Sequence, residues 1–173
     1  GRSTPPRTSR LIKDAGVDGM DVTVYGNNDD PTDKVTQAYA DMLTKMGFNA
    51  KPKILDGGVY FQTIGNQKTK AQTGFANWFQ DFPHPKNFMF LVDGASIQNT
   101  NNQNFGNTDD PEITKGIAEL NKEPEITSEV ADKWKDLNNK LVERAWIVPY
   151  GHRKLSTFFS ERMDFDNCSR FHP

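Results

Sequence analysis

Gly19-Met-Asp-Val-Thr-Val-Tyr25 is the stretch whose reading decides the fold. Polar and apolar residues alternate along it with period two, which predicts a strand. Asn27-Asn-Asp-Asp-Pro31 follows as a turn and a helix start, with Asp30 placed as N-cap and Pro31 at the first helical position. Val35, Ala38, Tyr39, Met42, Leu43 and Met46 then share one helical face, and Gly47 supplies the stop. Residues 48–55 read as a second strand, closed by Asp56-Gly-Gly58. Residues 59–64 read as a short helix ended by Gly65, and after a polar turn residues 71–78 read as a third strand. Strands joined by helical crossovers predict an α/β domain with a mostly parallel sheet flanked by helices. In such sheets the ligand crevice lies outside the carboxyl ends of the strands. Residues 26–30, 56–60 and 79–85 are therefore expected to share one edge.

The third of those segments belongs to Thr73-Gly-Phe-Ala-Asn-Trp-Phe-Gln-Asp-Phe-Pro-His-Pro-Lys-Asn-Phe88. One carboxylate, Asp81, stands there among aromatic rings, and Pro83 and Pro85 stiffen the loop by fixing φ. A rigid loop with one acid among aromatics suits recognition of a cation or an amine better than catalysis.

At 173 residues the chain has the length of one domain with a core of its own. A net charge of -2 and a pI of about 5.9 give no electrostatic footprint for nucleic acid. Mean hydropathy of -0.75 is that of a water-soluble chain, and no run of about 18 apolar residues would span a membrane. Residues 1–10 carry no apolar stretch of the secretory type, which leaves the compartment open in a trimmed chain. The lone Cys168 excludes an internal disulfide.

Upstream of the first strand, residues 1–8 form a polar lead-in expected to be disordered, and residues 9–15 one or two helical turns stopped at Gly16. Downstream, residues 96–109 are rich in Asn, Gln, Thr and Gly and read as a long irregular loop. Asp110-Pro111 repeats the N-cap signal and opens a helix with Ile113, Ile117 and Leu120. A second helix over 127–144 buries Val130, Trp134, Leu137 and Leu141. Short extended pieces are expected at 147–150 and 155–159, and the tail 160–173 has no clear period.

This order of elements, together with Trp78-Phe-Gln-Asp-Phe-Pro-His-Pro-Lys-Asn-Phe88, resembles the C-terminal lobe of extracellular solute-binding proteins of the peptide, nickel and opine class (family 5). Leu43-Thr-Lys-Met-Gly-Phe48, residues 107–113 and Ala145-Trp-Ile-Val-Pro-Tyr150 are similar to that family's pattern in the same order. The resemblance implies a periplasmic-binding-protein-like lobe over 9–159 with C-terminal helices and a returning strand, and a tail over 160–173 directed to a partner lobe. It implies a fragment: half of a clamshell that captures a small solute, a short peptide first of all, outside the cytoplasm. The partners implied are that ligand, the permease of an ABC importer and the N-terminal lobe of the same protein, with no nucleic acid and no cofactor. The aspartate matching Asp81 pairs with the ligand's α-amino group in peptide-binding relatives. His84 stands where many relatives carry an acid, and no arginine is clearly placed for a ligand carboxylate.

Each candidate has a plainer reading beside it. Asp81 either anchors an amine or caps the next turn. Trp78 and Phe82 line the cleft or pack, and alternation puts Phe79 in the core if Trp78 faces the cleft. Tyr60 and Gln62, beside the second sheet edge, contact the solute or do not, and the amides of 99–107, Asn104 among them, hydrogen-bond a polar solute from the rim or form merely a solvated loop. His84, His152 and His172 lack the spacing of a metal site, and Cys168 with His172 lacks an oriented base and an oxyanion pocket. No Gly-x-Gly-x-x-Gly loop follows the first strand. The expectation is a binding protein that is not an enzyme. Its alternatives are a protein-interaction module or a doubly wound enzyme domain without a recognisable catalytic set.

Overall fold

The computed structural model describes residues 6–151, 158 and 160. The elements are α1 (Pro6–Asp14), β1 (Asp21–Asn27), α2 (Thr32–Met46), β2 (Asn49–Leu55), α3 (Gly57–Ile64), β3 (Thr73–Gly74), α4 (Lys86–Met89), α5 (Pro111–Leu120) and α6 (Ser128–Glu143). The expected pieces at 155–157 and 159, His152, His172 and Cys168 lie outside the described residues. The described chain gathers into two compact units, residues 6–77 with 96–107, and residues 78–95 with 108–151.

The first unit is built on a parallel sheet in the order β2-β1-β3. β1 pairs with β2 along its whole length, from Asp21 opposite Asn49 to Asn27 opposite Leu55. Its buried half, Val24 to Asn27, is the centre of the unit. α2 lies on this sheet through a residue-for-residue fit: a Cβ built on Gly26 would stand 2.0 Å from Thr36 Oγ1. Only glycine admits the helix that close. The face of α2 that is fully buried is therefore Thr32, Thr36 and Ala40, with Val35, Tyr39, Leu43 and Met46 half-buried and Ala38 and Met42 exposed. This corrects the expected stripe by about one residue, and close approach is the reason. The Thr36 hydroxyl is satisfied by donating to Thr32 O at 2.8 Å, so its burial leaves no open polar group.

Other boundaries differ for identifiable reasons. α1 begins at Pro6, so residues 6–8 of the expected lead-in are helical. Pro31, not Asp30, is the N-cap of α2 and offers no side-chain bond; Asp30 instead pairs with Lys34 one turn on. Gly47, at φ 120°, ends α2 as expected. β3 is two residues long where eight were expected. Before it, the Gln72 side chain takes the place of strand backbone, accepting from Thr23 N–H at 2.8 Å and donating to Asp21 O at 3.0 Å. After it, Phe75 N–H still donates to Tyr25 O, but the Phe75 carbonyl is taken by the Tyr60 hydroxyl at 2.7 Å.

The amide-rich run 96–107, exposed at 98–101, 103, 106 and 107, is nevertheless held to the fold. It is tied to the chain after α3 by Asn102 N–H to Gly65 O at 2.9 Å and Gln67 N–H to Asn99 O at 3.0 Å. Phe105 stacks 5.6 Å from Phe61, and Asn102 and Asn104 are buried.

The second unit is helical. Asp110 caps α5 by accepting from Glu112 N–H and Ile113 N–H, and Thr127 caps α6 through Val130 N–H. Ile113, Ile117 and Leu120 of α5 meet Val130, Trp134, Leu137 and Leu141 of α6, with Met89 and Val92, in one apolar core. Ile147 packs against it, but residues 147–150 form no strand among the described residues, so the expected returning strand is absent there.

Candidate functional site

The loop from Trp78 to Phe88 is organised by its own polar groups. Asn87, on the first turn of α4, accepts from Asp81 N–H at 2.9 Å and donates from Nδ2 to Asp81 Oδ2 at 2.9 Å. His84 N–H donates to Phe82 O at 2.8 Å, and His84 Nδ1 accepts from Lys86 N–H at 3.1 Å. The His84 ring stands edge-on to Trp134 at 6.0 Å, which seats the loop on α6. The two prolines and these bonds make a stiff loop whose carboxylate is exposed.

The aromatic rings divide differently from the expectation. Trp78 is half-buried and packs edge-on against Phe90 at 4.9 Å and 79°. Its Nε1–H is buried with no hydrogen-bond partner among the described residues. Phe79, expected in the core, is 42% exposed. Period-two alternation fails at 78–79 because the strand ended at Gly74. Phe82 is exposed too, and the Lys86 ammonium lies 5.5 Å above its ring centre, so one face already holds a cation.

Tyr60 and Asn104 belong to the other unit and are both 0% exposed. The Tyr60 hydroxyl lies 2.7 Å from Phe75 O and 3.1 Å from Tyr25 O and serves the β1–β3 join. Asn104 O accepts from Asn102 Nδ2 and Asn107 N–H. Neither side chain is exposed in this structure. The residue that sequence reasoning passed over is Asn87. The only signal for it was an amide at the start of a helical turn just after Pro85, where short polar side chains bond back to preceding backbone.

Two other polar features carry no site. Arg144 at the end of α6 bonds Asp110 at 2.6 Å and also Glu112, which Lys140 reaches at 2.6 Å; Trp146 Nε1–H donates to Asp110 at 3.2 Å. The Arg144 hydrogen bond holds the Asp110 carboxyl down to about 2. Every member of this cluster is used in joining α5 to α6. A shallow groove of about 360 Å³ between the same helices is lined by Gly116, Leu120, Leu137 and mixed charges, and its Lys133 and Lys140 are already paired with Glu129 and Glu112. No group of three or more His, Cys, Asp or Glu side chains fit to hold a metal ion exists among the described residues.

No family model and no curated protein matches the chain. Solved structures do. A dipeptide-binding protein from Pseudoalteromonas sp. SM9913 in complex with Met-Leu matches with a TM-score of 0.70 and 18% identity over 83% of this chain and 29% of its own. The ABC transporter-associated periplasmic binding protein DppA from Helicobacter pylori, in complex with the peptide STSA, matches with a TM-score of 0.68 and 19% identity over 80% and 27%. The clavulanic acid biosynthesis oligopeptide binding protein 2 matches with a TM-score of 0.68 and 25% identity over 79% and 26%. The chain thus spans between a quarter and a third of the length of these proteins, and its fold is that of one part of a periplasmic peptide-binding protein.

Proposed function

We propose that the chain is the C-terminal lobe of a solute receptor that captures a short peptide outside the cytoplasm and delivers it to an ABC importer. What supports this most is the likeness of fold to proteins solved with peptides bound, at TM-scores of 0.68 and 0.70. In this reading Asp81 meets the ligand's ammonium. An ion pair about 4 Å apart is weak in water and strong once a second lobe closes over it and excludes solvent. Trp78 and Phe82 flank the anchor, and Tyr60 and Asn104 fix loops within their own unit. The N-terminal lobe of the same protein supplies the facing wall, and the closed form, stabilised by contacts made only when a ligand is held, is what the permease recognises. The lobe performs no chemistry.

The test is native mass spectrometry of the full-length protein purified from its host, beside its Asp81→Ala variant. A ligand of short-peptide mass that accompanies the wild type and is lost from the variant is the expected result. Ligand retained by the variant removes Asp81 from the site but keeps the receptor. No ligand, even with peptide mixtures added, ends the reading.

A further inference from the structure

Asn87 is 3% exposed, yet both ends of its amide are spent on a single exposed residue. Oδ1 accepts from the backbone N–H of Asp81, and Nδ2 donates to Asp81 Oδ2, both at 2.9 Å. Its own backbone N–H donates to His84 O at 3.0 Å, which fixes Asn87 against the loop it serves. The direction of the amide is set by chemistry. A backbone N–H can be met only by the carbonyl oxygen, so the NH₂ must face the carboxylate. That NH₂ needs an acceptor and finds one in the carboxylate.

Two bonds to one residue, one to its backbone and one to its side chain, stop rotation about the Asp81 Cα–Cβ bond. Oδ2 faces the Asn87 amide, and among the described residues Oδ1 is left for a solute. We propose that Asn87 is the positioning residue of this site: it aims Asp81 at the ammonium before the ligand arrives and removes the ordering that an exposed, freely turning carboxylate would undergo on binding. This rests on the reading of Asp81 as the ammonium anchor. Asn87 does not touch the ligand and acts only through Asp81.

The test is a double-mutant cycle in the full-length protein, with Asn87→Ala, Asn87→Leu and Asp81→Ala singly and combined. The probes are a mixture of tripeptides with free amino termini and the same mixture N-acetylated, titrated by native mass spectrometry. The wild type should prefer the free amines, and Asp81→Ala should abolish the preference; a wild type without it defeats the anchor and this proposal together. Given the preference, both Asn87 variants should lose roughly twofold to tenfold in affinity for free amines, the range of ordering one side chain on binding. They should lose nothing for the acetylated mixture and nothing further in the Asp81→Ala background. Equal loss for both mixtures, or the same loss without Asp81, overturns the positioning role while the anchor stands. Asn87→Leu keeps volume where Ala leaves a void. If both unfold the lobe, the Asn87 side-chain amide protons decide: their chemical shifts should move between wild type and Asp81→Ala, and unchanged shifts overturn the proposal.

Discussion

The sheet unit and the helical unit are held by different means. The helical unit has a continuous apolar core from Met89 to Leu141. In the sheet unit the buried apolar side chains are scattered, Ile12, Val24, Tyr25, Ala40 and Tyr60, and buried Asn27, Thr32, Thr36, Asn102 and Asn104 stand among them. There the order comes from fitted shapes and paired polar groups. The contrast teaches where each unit is fragile. An apolar core fails when volume is removed, because the lost contacts and the void both cost stability. A fit of backbone against side chain fails when volume is added.

The largest effect should come from emptying the helical core. Ile113 has no exposed surface and lies where α5 meets α6. Ile113→Ala is expected to destabilise by about 2–5 kcal/mol, read from denaturant midpoints and from lost hydrogen-exchange protection in α5 and α6. A loss below 1 kcal/mol would mean the core collapses to fill the void and is not packed as described.

Adding volume should hurt the sheet unit next. In Gly26→Ala the new methyl cannot coexist with Thr36 at its present distance, so α2 must lift from β1. The expected cost is about 1–3 kcal/mol. The loss should appear in exchange protection of β1 and α2. An unchanged midpoint would show that α2 rides on the sheet without the interlock.

The same division explains what the sequence could tell. α5 was legible in its cap and both helices in their stripes, because Asp110-Pro111 and the spacing from Val130 to Leu141 are local signals. β1 and β2 were legible for the same reason. The length of β3 was not, since it depends on Gln72 reaching across to β1 and on Tyr60 capping Phe75 from fifteen residues away. The buried stripe of α2 was shifted because its register follows from a glycine ten residues upstream. In the candidate site, the exposed acid and its stiff loop could be read from Asp81, Pro83 and Pro85. The clamp could not, because a pair six residues apart in an irregular loop has no period to betray it.

The smallest effect concerns charge, in the helical unit. Arg144 holds the Asp110 carboxyl at about 2, below its ordinary 3.8, and Lys140 and then Arg144 lower Glu112 as well. A carboxyl more acidic when folded than when unfolded stabilises the fold above its unfolded value. That contribution is lost as pH falls through the folded value. The helical unit should therefore weaken between about pH 4 and pH 2, less steeply at high salt, which screens exposed pairs. Asp110→Asn separates charge from capping: asparagine still accepts from Glu112 N–H and Ile113 N–H, while the bond to Arg144 loses its ionic partner. The variant should unfold at a lower denaturant concentration at pH 6 and show a flatter acid limb, with the slope that remains coming from Glu112. Equal acid limbs in the two proteins would mean that the cluster is ornamental and that the apolar core alone joins α5 to α6. Equal midpoints at pH 6 with a flattened limb cannot both arise from one carboxyl, because the stability it loses in acid is the stability it contributes at neutral pH.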